Sequence, residues 1–141
     1  GLSDRQAVEA EAALALEAAA TAWLEVHGDP PLPRCDLDLG GLADALIDET
    51  DPGRGAAVFH LTLVQVLARA ATAMARSMHV PTVVLGGGGF HNRLLTRRLT
   101  AALQAAGLAV QRPAEPGDAA LALGQARVAA AALQAEDRAC A

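Results

Sequence analysis

The sequence predicts an α/β fold that is mostly helical and holds one small βαβ segment. Three observations predict it. The β-forming run Val83-Val84-Leu85 leads straight into four glycines, Gly86 to Gly89, and the residues that follow, Asn92 to Leu99, have helical periodicity; that is a strand, a turn without side chains and a helix start. Gly107 then stops the helix and a second short β-forming run, Leu108-Ala109-Val110-Gln111, follows it, the order of a crossover that lays two strands parallel. Finally, 52% of the 141 residues are hydrophobic but only 2% are aromatic, so the core is built from Ala, Leu and Val, which suits close-packed helices. The length suits a single domain spanning residues 1–141.

Taken in order, Asp4 can cap a long helix running to about His27, with Val8, Leu14, Leu16, Trp23 and Leu24 among its apolar positions. Gly28-Asp29-Pro30-Pro31 breaks the chain. Asp38 caps a short helical segment from Gly41 to about Glu49, and Asp51-Pro52-Gly53 reads as another stop. A second long helix is expected from about Ala56 to Met78, with Phe59, Leu63, Val66, Leu67 and Met74 at helical spacing. The strand Thr82–Leu85, the glycine turn, a helix over Asn92–Ala106 and the strand Leu108–Gln111 follow. Pro113 to Gly117 forms a loop, and Asp118 caps a last helix from Ala119 to about Asp137.

Composition removes several classes of function. Net charge is −5, so no nucleic-acid footprint is present, and Arg93, Arg97 and Arg98 read as a solvated helix face. There is no lysine, hence no Schiff base and no P-loop lysine. No apolar run approaches membrane-spanning length, and Gly1 to Arg5 lacks a signal-peptide pattern; the expectation is a cytoplasmic protein. Cys35 and Cys140 match no metal spacing and read as reduced thiols. His60 and His91 read as packing or turn residues. Glycines in a strand-to-helix turn let a ligand approach the backbone, and free N–H groups at a helix N-terminus attract anions, which points to a nucleotide or another phosphate; glycine used for packing alone fits the same pattern.

Three segments read together are more specific. Glu9 to Glu17 resembles the "EGQAAMALE" helix of the HypF family of hydrogenase-maturation carbamoyltransferases. Gly86-Gly87-Gly88-Gly89-Phe90-His91-Asn92-Arg93-Leu94-Leu95 resembles its "SGGVFQNRLL", and Pro116 to Ala126 resembles its "PxDGGIALGQA". Phe59-His60 sits where that family commonly has Phe-His opening a helix. The order and separations agree from about Glu9 to Ala132.

The resemblance implies the C-terminal, nucleotide-binding lobe of an actin/Hsp70-like (ASKHA) ATPase fold. In the parent enzyme, ATP and carbamoyl phosphate give a carbamoyl-adenylate, and the carbamoyl group passes to the C-terminal cysteine of a HypE-type acceptor, on the way to the cyanide ligand of the hydrogenase iron. On this chain the resemblance places nucleotide contacts at Glu9, Gly86, Gly87, Gly88, Gly89 and Asn92, and a divalent metal (Mg²⁺ or an iron-type ion) at Asp118; it implies no nucleophile in this lobe. Glu9 in the first turn of a helix, and Asn92 and Asp118 as plain N-caps, are the alternatives. The implied partners are a preceding lobe of the same module and the acceptor protein, with no nucleic acid and no membrane. That lobe carries a His-x-x-x-His metal pair, which the histidines at 27, 60, 79 and 91 do not form. The family's Asp-Gly-Gly is Asp118-Ala119-Ala120 here and its Glu-Gly is Glu9-Ala10. The methyl groups of Ala119 and Ala120 favour the rival reading, a non-catalytic lobe that serves as a protein-interaction module. An unrelated Rossmann-like protein would need a third glycine that the turn lacks.

Overall fold

A computed structural model describes residues 10–113 and 124–130. Its elements are helix α1 (Glu11–His27), helix α2 (Gly40–Ile47), helix α3 (Pro52–Met78), strand β1 (Thr82–Val84), a single 3-10 turn (Gly88–His91), helix α4 (Arg93–Ala105) and strand β2 (Ala109–Gln111). Residues 124–130 are helical, in line with the last expected helix, whose cap Asp118 lies outside the described residues, as does Asp4.

The strands pair in parallel, with Thr82 opposite Ala109, Val83 opposite Val110 and Val84 opposite Gln111. The pairing extends by one bond at each end, Ala109 N to Pro81 O and Leu85 N to Gln111 O. Helix α4 is the crossover, so the βαβ expectation holds.

Helix α3 is the spine. One side of its first half packs with Ala20 and Leu24 of α1 and Leu94 of α4 through Ala56, Ala57 and Leu61. Another joins Val64 to Leu85, Leu99 and Leu103, and a third meets Cys35 and Leu42 through Val58 and Val66. Small residues carry the closest approach. A Cβ on Gly53 would stand 3.0 Å from the Trp23 ring, so glycine there lets α1 lie close against the first turn of α3 without displacing the indole.

Three expectations need correction. Asp51-Pro52-Gly53 starts α3 rather than stopping the chain. The Asp51 Oδ1 accepts hydrogen bonds from Gly53 N (2.9 Å) and Arg54 N (3.2 Å), and Pro52 at the first helical position has no N–H to lose and a preset φ. Asp38 does not cap α2; Leu39, in the left-handed region at φ 57°, precedes the helix, and the Asp38 carboxylate accepts from Gly40 N instead. Met74 and Leu14 keep their expected places on α3 and α1 but are 60% and 61% exposed, α1 burying Ala20 and Leu24 rather than its whole apolar stripe. Lastly, α3 is long and apolar enough to cross a membrane, against the expectation that no run reaches that length; its apolar first half is the core just described.

Candidate functional site

The site begins where β1 ends. Of the four consecutive glycines only Gly87 adopts a positive φ, 101°, which is the position that demands glycine. A Cβ on any of the four would meet nothing within 4 Å, so the space above the turn is open. Phe90 N donates to Gly87 O and Asn92 N to Gly89 O, closing the 3-10 turn. The N–H groups of Gly86, Gly87, Gly88 and Gly89 have no acceptor among the described residues. Exposed and unpaired, they form a run of donors of the kind that anions use.

The start of α4 has the opposite character. Asn92 is its N-cap, with Oδ1 accepting from Leu95 N at 2.8 Å. The carboxylate of Glu17, from the middle of α1, accepts from both Arg93 N (2.8 Å) and Leu94 N (3.2 Å). Thr96 N donates to the Asn92 carbonyl. The first-turn amides are therefore all spoken for, and the charge that complements the helix dipole comes from within the chain. This corrects the expectation of free α4 N–H groups awaiting an anion; the free donors lie in the glycine turn before it.

Asn92 is itself held from behind. His60, on α3 and 1% exposed, places Nδ1 2.8 Å from the Ala56 carbonyl and Nε2 2.8 Å from Asn92 Nδ2. A carbonyl can only accept, so Nδ1 carries the proton, Nε2 is bare, and the Asn92 amide donates to it. The Phe59 ring meets His60 edge-on at 5.5 Å. His60 is thus neither ligand nor base but a buried packing histidine, as expected, with a polar duty added. It does not open a helix, since α3 begins at Pro52.

A cleft of about 970 Å³ runs from the 3-10 turn along α4, bordered by Glu17, His91, Arg93, Arg97 and Arg112. Arg93 and Arg97 are exposed and Arg98 part-exposed, in keeping with the solvated face expected of them. Arg98 grips Asp29 through both guanidinium nitrogens, at 2.7 and 3.2 Å, whereas Arg93 and Arg97 border the cleft with Arg112.

Of the expected contacts, Gly86 to Gly89 and Asn92 are brought together at one turn. Glu9 and Asp118 lie outside the described residues, and among the described residues no group of three His, Cys, Asp or Glu could hold a metal ion. Glu17 and the His60–Asn92 bond were not foreseen. The signal for Glu17 was its place as the last acid of the Glu9–Glu17 motif.

Residues 1–125 match the family model described as "Carbamoyltransferase, Kae1-like Domain, second subdomain". A "Carbamoyltransferase HypF homolog" from Cupriavidus necator is 43% identical over 145 aligned positions, which cover 92% of this chain and 37% of that protein. "Carbamoyltransferase HypF2" from the same organism is 47% identical over 66% of this chain and 12% of its own length. "Carbamoyltransferase HypF" from Rhodobacter capsulatus is 35% identical over 92% of this chain and 18% of its own. The chain thus spans well under half the length of these relatives, and no solved structure matches it. With the family model covering most of the chain, this chain belongs to the HypF carbamoyltransferase family, as the second subdomain of its Kae1-like domain.

Proposed function

We propose that this chain is the nucleotide-binding lobe, a single domain of actin/Hsp70-like type, of a hydrogenase-maturation carbamoyltransferase. The observation that carries the reading is the run of unpaired amides from Gly86 to Gly89 beside Asn92. Those donors and the open space above them suit phosphate or ribose oxygens of ATP. Arg93 and Arg97 add positive charge to the neighbouring cleft. ATP, when bound, supplies the adenylyl group that activates the carbamoyl carbon; the chain's own residues bind and orient it and contribute no nucleophile. The fit of a divalent metal rests on Asp118 and on the phosphates themselves, since the described residues hold no ligand cluster. The family resemblance adds Glu9 as an acceptor for the ribose hydroxyls. A preceding lobe of the same module closes the cleft, and a cytoplasmic HypE-type protein accepts the carbamoyl group.

ATP titration with Mg²⁺ by calorimetry tests the reading. Gly87→Val, which forces a β-branched side chain into a positive φ, is expected to weaken binding about tenfold or more, and Asp118→Ala to remove its metal dependence. Equal affinities in all three proteins would reject the nucleotide site.

One observation favours the second reading, a docking lobe without nucleotide. Met74, Met78, Val80 and Val84 are all exposed, the last by 64%, around the end of α3 and β1. That reading predicts no response to millimolar ATP and tight association with the rest of the module supplied in trans.

A further inference from the structure

We propose that His60 is the positioning residue of the glycine-turn site: it fixes which way round the Asn92 amide stands, and with it the kind of ligand atom the site accepts. The inference rests on the reading of Asn92 as a ligand contact. Both ends of the amide are determined. Leu95 N–H can only donate, so the atom it meets must be the oxygen; His60 Nε2 can only accept, because its Nδ1 proton is spent on the Ala56 carbonyl. Turning the amide over would set N–H against N–H at Leu95 and oxygen against a bare nitrogen at His60. Two hydrogen bonds would be replaced by two repulsions.

His60 itself is 1% exposed and has no other polar partner among the described residues. Asn92 is half-buried and keeps one Nδ2–H to spare. With its oxygen engaged by Leu95 N, Asn92 offers a ligand that donor alone. It takes a ligand edge that accepts hydrogen bonds, such as a ring nitrogen or the oxygens of a ribose or phosphate, and disfavours one that donates. The Phe59 ring against His60 and the helical carbonyl behind it hold the imidazole in place. The structural logic resembles that of a metal-bound histidine fixed by its far nitrogen, with an asparagine in the metal's place.

Nitrogen-15 NMR of the full chain at neutral pH reads the tautomer directly. His60 is expected with its proton on Nδ1, and a proton on Nε2 would overturn the inference. Titration with Mg²⁺–ATP then compares Asn92→Ala, His60→Leu and His60→Gln, each checked for wild-type circular dichroism. Asn92→Ala and His60→Leu are each expected to weaken binding about tenfold, and His60→Gln, whose amide oxygen can accept the Asn92 proton, to restore it to within about threefold. Wild-type affinity in His60→Leu alongside a weakened Asn92→Ala would overturn the inference. Unchanged affinity in Asn92→Ala would instead reject Asn92 as a nucleotide contact, the premise on which the inference rests. The Asn92 side-chain amide shifts then decide for His60 alone: they should move in His60→Leu and return in His60→Gln, and shifts indifferent to both variants would overturn it.

Discussion

Helices α3 and α4 both begin on an Asx side chain, yet they are finished by different means. At the start of α3 everything is local. Asp51 takes the amides of Gly53 and Arg54, Pro52 occupies the position with no amide to satisfy, and Asp51 N donates to Glu49 Oε1. Only the indole of Trp23, which donates to Asp51 Oδ2 at 3.1 Å, comes from elsewhere. At the start of α4 a neutral amide does half the work, and the charge is lent by Glu17, 76 residues away in sequence. A cap assembled from neighbours spends its own carboxylate and stays closed. One assembled across the fold leaves its asparagine an unspent N–H and lets the preceding glycine turn stay open, which is what a ligand site needs.

That contrast can be tested in order of expected effect. Asp51→Ala removes one acceptor shared by two amides and an indole, and should lower the melting temperature by about 6 °C. Glu17→Ala leaves Asn92 in place and should cost about 4 °C, with Glu17→Gln intermediate because it keeps an acceptor and loses the charge. If Glu17→Ala proved the more damaging, the ranking of local over borrowed caps would fail.

Acid sharpens the comparison further. The amide of Arg54, then that of Gly53 and the Trp23 indole, hold the Asp51 carboxyl below its usual value of 3.8, against a smaller opposing effect of desolvation. The Asp51 N–H likewise lowers Glu49, with Arg54 beside it. A carboxyl depressed in the folded state adds stability above its unfolded pKa and loses it as pH falls through the folded value. Unfolding midpoints of the wild type should therefore drop below about pH 4, and those of Asp51→Ala should drop less over the same window. The smallest effect belongs to Arg98→Ala, an exposed pair with Asp29 that touches neither cap; it should cost about 1 °C or less and fade with salt.

These two starts also show what could be read from residues alone. The βαβ unit was legible because strand, glycine turn, periodic helix and stop follow one another in sequence. The Asn92 cap was legible for the same reason. The start of α3 was within reach, since Asp-Pro is a start signal, but it was read as a break because proline and glycine together usually interrupt a helix. Glu17 and His60 were hidden by distance: their partners lie 76 and 32 residues away, and no local pattern states which face of α1 or α3 will meet α4. The exposure of Met74 was not legible because periodicity marks an apolar stripe without saying how far along the helix a neighbour continues to cover it.

The Glu17 contact also has a consequence for the order of events in folding. Closing a loop of that length is slow and costs chain entropy before any contact repays it. Helix α4 can wind locally, but the amides of Arg93 and Leu94 gain their acceptor only once α1 has docked. Their hydrogen-exchange protection should appear after that of Leu99 and Leu103 in a refolding pulse experiment, and together with that of α1, so that two adjacent amides serve as a clock for the arrival of the chain's first helix.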